Sequence, residues 1–387
     1  MKNRLYKWAA GLLAGSLLIT PIPHAEASEP PSLVLNGSPQ SEGSAGLEVR
    51  DGRTYIPAET AARLLGFRAN YDSASQTLTL LRPDARIDVK PGEERAEING
   101  RIVKTGAAAF IRGGRAYIPL KLLSSAPKIR IGREAGANTV TLSDAGRFRM
   151  IAEGDRTAWV SFESGEVYSL ESGSPRKLAD ADVSDLDWGT LDIRPLGGSA
   201  YLLTVGREYG ASMQIVNHRF QFLVKNGTVR RQMHERYSGM YSTAQFGPQT
   251  LPAQRAYMTD GQTVQVVGAN GALAATYELE ELTGQTGPFI VESVTADYLL
   301  VRAFDTLQPT LIDLNAHRSV LLYRELLDAA EQKEWDEVST DTGEPLLLQS
   351  RLRFVKQEGG ELTFTYRRIA PGGTFGGTGT VVYTLKR

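Results

Sequence analysis

The densest group of potential metal ligands in this sequence is an acidic segment near the middle of the chain. It contains Asp180, Asp182, Asp185 and Asp187. Ca²⁺ takes about six to eight oxygen ligands, and carboxylates that alternate along a loop can supply several of them. A helix-loop-helix calcium loop is excluded, because its last position needs a bidentate acid and falls on Leu191. A solvated acidic turn is therefore the favoured interpretation and no cofactor is expected, with calcium as the alternative.

A second candidate site consists of aromatic side chains, which can stack on sugars or on a partner protein. We expect ligand contacts from Trp188, Tyr209, Tyr237 and Tyr241, which lie in the same half of the chain as the acidic segment. Aromatic residues of β proteins often fill the core or pair across strands instead. A structural role is therefore the alternative for each of them.

The sequence favours no catalytic residue. It has no Cys and no Gly-x-Ser-x-Gly nucleophile elbow. Beyond the N-terminal segment the only imidazoles are His218, His234 and His317, none of them in a His-x-His pair. Paired carboxylates for glycoside hydrolysis stay open as an alternative, with acidic clusters at 185–192 and 278–281, because the distance between carboxyl groups is not visible in a sequence.

The elements that must position these residues begin with an internal repeat. Asp51–Pro57 returns as Gly113–Pro119, and Thr77–Leu80 returns as Thr139–Leu142, both at an offset of 62 residues. A fixed offset indicates one supersecondary unit used twice. Strand, turn, strand, helix and strand are predicted in each unit. Residues 33–145 are therefore predicted to form an α+β module of two β-β-α-β repeats.

The remainder of the chain, residues 148–387, contains short strands separated by turn residues. Strand clusters return about every 40 to 50 residues, which predicts an all-β domain. A β-propeller of about five blades is the first interpretation, and a β-sandwich or barrel is the alternative. One helix, Leu321–Val338, is predicted within it from apolar residues at helical spacing.

The repeated unit resembles a known module. Each copy has an Asn-Gly turn, a Gly-Arg-x-Tyr-Ile-Pro element and a Thr-x-Thr-Leu strand, and the first copy has a helix that ends Leu64–Phe67. Over about residues 33–143 these features are similar to the copper amine oxidase-like N-terminal domain, the stalk domain of secreted proteins from Bacillus- and Paenibacillus-type bacteria. The second copy departs at Pro127, which predicts a shorter helix, and at Arg133, where the family has an aromatic residue.

The resemblance implies an appended module that has neither copper nor catalysis of its own. Asn70-Tyr71-Asp72 spells the tripeptide from which the oxidase makes its cofactor. A copper site needs three imidazoles, and the three histidines beyond the N-terminal segment are scattered along the chain. We interpret the tripeptide as a chance match and expect no amine oxidase activity.

The first 27 residues are predicted to be a signal peptide. A basic segment up to Lys7 precedes the apolar run Trp8–Ile19, which is shorter than the roughly 20 residues of a membrane span. Ala25–Ala27 fits the small-x-small cleavage pattern. Residues 28–32 are predicted to be a linker, and no later segment predicts a membrane span after signal cleavage.

These features predict a secreted, extracellular, non-catalytic protein of a Gram-positive cell envelope, and retention at the cell wall is a further expectation. The stalk module would present a propeller-like domain that binds a cell-wall glycan or another envelope protein. The net charge of −1 indicates no nucleic-acid partner. An extracellular carbohydrate-active enzyme with carboxylates in the β domain is the alternative.

Export predicts a mature N-terminus at Ser28. Intact-mass measurement of protein from the medium of a Gram-positive host should give this end, and Ala27→Arg should retain the uncleaved chain in the cells, because the cleavage site needs a small residue there. Secretion of a chain that still carries Trp8–Ile19 would contradict the prediction.

Overall fold

The computed structural model describes residues 30–41, 46–183, 189–211, 214–239, 249–337, 351–370 and 374–385. The predicted signal peptide, residues 1–27, and the first part of the predicted linker lie outside these ranges.

Each repeated unit contains six strands and one helix in the part of the chain that is described. The first unit consists of β1 (Ser32–Leu35), β2 (Ser38–Gln40), β3 (Glu48–Arg50), β4 (Arg53–Pro57), α1 (Ala58–Leu65), β5 (Arg68–Asp72) and β6 (Thr77–Arg82). Strand β7 (Ala85–Val89) separates it from the second unit. The second unit consists of β8 (Arg95–Ile98), β9 (Arg101–Lys104), β10 (Phe110–Arg112), β11 (Arg115–Pro119), the 3₁₀ helix η1 (Leu120–Ser125), β12 (Ile129–Arg133) and β13 (Thr139–Asp144).

The two units pair with each other. Strands β4 and β11, which carry the two Tyr-Ile-Pro elements, are antiparallel neighbours, with Ile56 directly opposite Ile118. Residues at equivalent positions of the two units therefore face each other, and a pseudo-two-fold axis passes between them. The middle sheet has the strand order β10-β11-β4-β3. Neither unit completes this sheet alone, so the repeat forms one module.

The two outer sheets differ by one strand. In one, with order β12-β13-β1-β2, β1 and β13 pair in parallel. In the other, with order β5-β6-β7-β8-β9, strand β7 lies between β6 and β8 and pairs antiparallel with both. Strand β7 is not among the elements predicted from the sequence. Its signal is the alternation of Ala85, Ile87 and Val89, all three buried.

The helices of the two units differ as Pro127 predicts. α1 is an α-helix of eight residues that ends at Gly66 in the left-handed conformation, whereas η1 is a 3₁₀ helix of six residues. Ala126, which precedes the proline, is extended with a ψ of 141°. This is the conformation that a following proline ring favours.

Arg82 is the buried contact between the two units. Its side chain is fully inaccessible to solvent, and its guanidinium donates to Asp144 Oδ2 at 2.7 Å and to both carboxylate oxygens of Asp84. It also donates to the carbonyl oxygens of Leu65 and Pro127, each at 3.1 Å. Position 144 is equivalent to position 82, and position 127 to position 65, so one side chain satisfies both units beside the pseudo-two-fold axis.

The same region joins the module to the rest of the chain. The Arg82 guanidinium lies over the Phe67 and Phe148 rings, at 4.8 and 5.2 Å from their centroids. Trp159 Nε1 donates to the Gly66 carbonyl oxygen at 2.9 Å. A Cβ atom at Gly66 would lie 2.2 Å from the Phe148 carbonyl oxygen, so this close approach requires glycine. The module therefore packs directly on the first sheet of the β region.

The β region contains five antiparallel sheets among the described residues, each built from strands consecutive in the chain. The first has β14 (Phe148–Glu153), β15 (Arg156–Ser161), β16 (Glu166–Glu171) and β17 (Ser174–Asp180); the second has β18 (Gly189–Pro195), β19 (Ala200–Ala211), β20 (Gln214–Lys225) and β21 (Thr228–Gly239). The third has β22 (Ala256–Thr259), β23 (Thr263–Val267) and β24 (Leu273–Glu278); the fourth has β25 (Phe289–Val294), β26 (Tyr298–Ala303), β27 (Pro309–Asp313) and β28 (Arg318–Leu321); the fifth has β29 (Arg353–Glu358), β30 (Glu361–Ala370) and β31 (Thr374–Thr384).

Successive sheets share their cores. One apolar cluster joins the first and second sheets, a second joins the second and third, a third joins the third and fourth, and a fourth joins the fourth and fifth. The module has a separate core that runs from Leu33 to Leu142. The predicted β-rich region is therefore present as a series of sheets that pack face to face in chain order.

The prediction of one continuous helix over Leu321–Val338 is wrong, because the helix is interrupted. This segment forms two helices, α3 (Leu322–Leu326) and α4 (Ala329–Glu337). Two other short helices of the β region precede it, η2 (Ala269–Gly271) and α2 (Leu279–Thr283). Leu327 is extended, with φ −106° and ψ 154°. Asp328 Oδ1 accepts the Glu331 N–H at 2.9 Å, and this competing hydrogen bond starts a new helix.

Removal of the Arg82 guanidinium should destabilise the protein strongly. Arg82→Met removes the guanidinium that donates to Asp144 and to two carbonyl groups, and loss of one partner of a buried ion pair costs about 3–5 kcal/mol. Arg86→Met is the matched control, because Arg86 is half-exposed and pairs with Asp88 at the surface; its loss should cost less than about 1 kcal/mol. Urea unfolding followed by tryptophan fluorescence measures both, and equal losses would contradict this role for Arg82.

Candidate functional site

The candidate site lies on the second sheet of the β region. Strands β19, β20 and β21 span 12 residues each and are the longest described strands. Arg207 pairs with His218 across β19 and β20, and Phe220 pairs with His234 across β20 and β21. Directly paired residues share one face of a sheet, and so do residues two apart. These four side chains therefore project from the same face.

On that face the side chains form a continuous stack. The Arg207 guanidinium lies 4.2 Å from the centroid of the Tyr209 ring, which stacks on His218 at 5.7 Å. His218 Nδ1 and His234 Nε2 are 2.8 Å apart and share a hydrogen bond. The His234 ring in turn stacks on Phe220 at 4.1 Å. Tyr209 is 37% exposed, whereas His218 is 4% exposed, so the stack runs from the surface into the core.

Burial keeps the histidine pair neutral. Desolvation lowers the pKa of His218 to about 4, and the neighbouring His234, Arg207 and Arg236 add to this effect. Desolvation also lowers the pKa of His234, against the carboxylate of Asp182. Two neutral imidazoles can share one proton as donor and acceptor. The shared hydrogen bond fixes both rings, and His218 holds the Tyr209 ring in place.

Two polar atoms of the stack have no hydrogen-bond partner in the described structure. They are His218 Nε2 and Arg207 Nε, both buried. Buried polar atoms are nearly always satisfied by protein or water. Because both atoms are enclosed by protein, they belong to the buried part of the stack, and only the Tyr209 ring is open to a ligand.

Tyr237 does not present an aromatic face to solvent, and the prediction that it is a surface ligand contact is wrong. It is 1% exposed on the opposite face of the sheet. Its hydroxyl group lies 3.0 Å from Glu235 Oε2 and 2.5 Å from the Phe289 carbonyl oxygen. Glu235 also pairs with the buried Arg219, although burial raises the pKa of Glu235. This network joins the second sheet to the fourth.

The structure places two of the four predicted calcium ligands. Asp180 pairs with Lys177 at 2.8 Å, and Asp182 accepts from Arg207 Nη1 at 3.0 Å. Both are thus engaged by cations. The other two candidates, and two of the predicted aromatic contacts, lie outside the described residues: Asp185, Asp187, Trp188 and Tyr241. No group of three or more metal-binding side chains occurs in the ranges that the structure covers.

The structure brings together residues that the sequence analysis kept apart. Arg207 links the acidic segment, through Asp182, to Tyr209. The histidine pair was missed as a pair, although His218 and His234 are nearly equidistant from the predicted turn at Asn226. The sequence does not show the bulge between Leu223 and Val224 that sets the final register.

Residues 34–142 match the family model described as the copper amine oxidase N-terminal domain. This confirms the resemblance stated for the repeated units. The match covers the module and none of the β region. No curated protein matches the chain, and no described helix is long and apolar enough to cross a membrane.

Three solved structures show a low similarity to this chain, both in sequence identity and in TM-score. A luciferin-regenerating enzyme is 12% identical over 81% of this chain and 89% of its own, with a TM-score of 0.23. The WD40 domain of SCAP from fission yeast is 10% identical over 80% and 60%, with a TM-score of 0.20. The calcium-binding protein regucalcin from Agrobacterium tumefaciens strain C58 is 12% identical over 61% and 81%, with a TM-score of 0.16. Scores this low establish neither the fold nor the function of this chain.

The histidine pair should make stability depend on pH. The unfolded chain binds a proton at its ordinary His pKa, near 6.5, whereas folded His218 binds one only near 4. The contribution of neutral His218 to the free energy of unfolding should therefore be present above about pH 6.5. It should fall by about 2 kcal/mol between pH 7 and pH 5. In His218→Phe, which keeps a stacked ring, that part of the loss should vanish.

His317→Asn is the matched control, because His317 is exposed and distant in sequence. It should retain the wild-type pH dependence in urea unfolding at pH 7, 6 and 5. An unchanged slope in His218→Phe would show that His218 is not held neutral.

Proposed function

We propose that this protein is a secreted, non-catalytic binding protein of the cell envelope. The observation that carries the proposal is the exposed Tyr209 ring, which contacts the Arg207 guanidinium and the His218 imidazole. A tyrosine whose ring is held by its neighbours offers contact area at little conformational cost. An exposed aromatic ring of this kind suits stacking on a polar ring-shaped ligand such as a cell-wall sugar. Another envelope protein is the second candidate partner.

The β region is proposed to be a five-bladed propeller. Five consecutive antiparallel sheets, each packed against the next through a shared apolar cluster, support this proposal. Blades built from consecutive strands are typical of propellers. The Tyr209 stack would then lie at one end of the second blade, which contains the longest described strands.

The N-terminal module is proposed to act as the stalk that positions this surface. Its family implies a non-catalytic appended module. The contacts of Gly66 with Phe148 and Trp159 support a fixed orientation, since a Cβ atom at Gly66 would not fit. Secretion, a Gram-positive source and retention at the cell wall complete the proposal on sequence grounds.

The alternative, a carbohydrate-active enzyme, has less support. Among the acidic residues around 278–281, Glu278 accepts from the Thr263 hydroxyl at 2.9 Å, and Glu280 accepts the Gly287 N–H at 2.9 Å. Both carboxylates are exposed, and each has a structural role: Glu278 bonds across two paired strands and Glu280 holds the backbone of the segment that follows it. Catalytic acids are commonly shielded so that their pKa is raised. We therefore propose that the protein binds its ligand and does not turn it over.

Binding to purified cell-wall polysaccharide should depend on Tyr209. Loss of a stacking ring costs about 1–2 kcal/mol, so Tyr209→Ala should bind about tenfold more weakly. Tyr71→Ala is the matched control, since Tyr71 is 42% exposed but belongs to the module; its affinity should not change. Bound protein and released soluble sugar are measured in the same sample.

Equal binding by Tyr209→Ala and wild type would reject this site. Release of sugar that is abolished by a single change, such as Asp185→Asn or Asp187→Asn, would favour the enzyme. Retention of a protein, but no polysaccharide, by the wild type would favour the second partner class.

A further inference from the structure

A groove in the module lies where the two units meet. It has a volume of about 570 Å³ and is lined by strand β4 of the first unit and by η1 and β12 of the second. It lies apart from the Tyr209 stack, which is on the β region. Neither the family match nor the proposed function assigns it a role.

The charge of this groove is unbalanced. Its lining includes Arg53, Lys121 and Arg133 and, among the described residues, no acid. All three cations are exposed, and no described carboxylate lies within ion-pair distance of any of them. Arg133 Nη2 donates to the Thr54 hydroxyl at 3.1 Å, which holds its guanidinium across the groove from β12 to β4.

The pseudo-two-fold axis provides an internal comparison. Position 115 is equivalent to Arg53, and position 59 is equivalent to Lys121. At the equivalent place Arg115 faces Glu59, with Nε and Oε2 3.8 Å apart. Both places thus have an arginine. The residue at the neighbouring equivalent position is the acid Glu59 in one place and the base Lys121 in the other. Arg133 likewise stands where the first unit has Tyr71, so two positions of the second unit are basic where those of the first are not.

The floor of the groove is apolar. Val140, Leu120 and Ala107 line it and are at most 4% exposed, and Ile131 lies beside them. The polar groups of the lining besides the cations are hydroxyls, as at Ser124. The groove therefore combines an apolar base with a cationic rim.

The five-stranded outer sheet shows what a balanced surface looks like on the same module. Its open polar face also carries several charges. There Arg86 pairs with Asp88, and Arg95 with Glu93. These cations are neutralised within the protein, whereas those of the groove are not.

We propose that the groove binds an amphipathic organic anion, with a phosphate or carboxylate group at the rim and an apolar body on the floor. The guanidinium groups of Arg53 and Arg133 suit either anion through paired N–H donors. Lys121 adds a point charge. The apolar floor removes the body of the ligand from water.

Calorimetric titration with hexyl phosphate and with hexanoate tests this proposal on the full mature chain. Lys121→Glu gives the groove the acid that its equivalent has and should weaken binding about tenfold or more, because it replaces an attraction by a repulsion and offers Arg53 a partner. Arg101→Glu is the matched control: it makes the same charge change at an exposed site on the module, and affinity should stay within about twofold. Circular dichroism checks that both variants fold.

Binding of hexyl phosphate alone, of hexanoate alone or of both supports the site and identifies the head group. 1-Hexanol should bind about tenfold more weakly, since it lacks the charge. Absence of binding by both anions, equal binding of 1-hexanol, or wild-type affinity in Lys121→Glu would overturn the proposal. Polysaccharide binding through Tyr209 is a separate measurement and should not change in Lys121→Glu.

Discussion

The buried ion pair between Arg82 and Asp144 is the interaction on which the rest of the structure depends. A buried charge is costly unless it is paired and hydrogen-bonded, and Arg82 meets both conditions with groups from both units and two phenylalanine rings. Its partner Asp144 occupies the equivalent position of the second unit. A symmetric duplication would place two like side chains there. The pair of opposite charges turns two copies into one module and orders the start of the β region.

Much of the fold could be predicted from the sequence, because local signals and global packing agree there. The offset of 62 residues, the Asn-Gly turns and the shortened helix before Pro127 all have local causes. Strand β7 was missed because it lies outside the repeat, and the break at Leu327 was missed because apolar spacing continues through it. That the two units share their sheets could not be predicted, since pairing between distant strands leaves no local signal.

The candidate site was predicted in part. Tyr209 is exposed as expected, but Tyr237 is buried, because the two residues lie on opposite faces of one sheet. Strand alternation separates faces only when the register is known, and here a bulge shifts it. The basic groove lay outside the prediction altogether. Its signal was present as the departure at Arg133, but the partner positions needed the pseudo-two-fold axis.

A distance measurement tests most directly whether module and β region form one fixed body. The sequence has no Cys, so spin labels can be attached to Ile102→Cys and Val355→Cys, which replace residues 74% and 54% exposed in the two regions. Pulsed electron spin resonance should give a single narrow distance distribution, which broadens when Arg82→Met is added. A broad distribution in the protein with native Arg82 would contradict a fixed stalk.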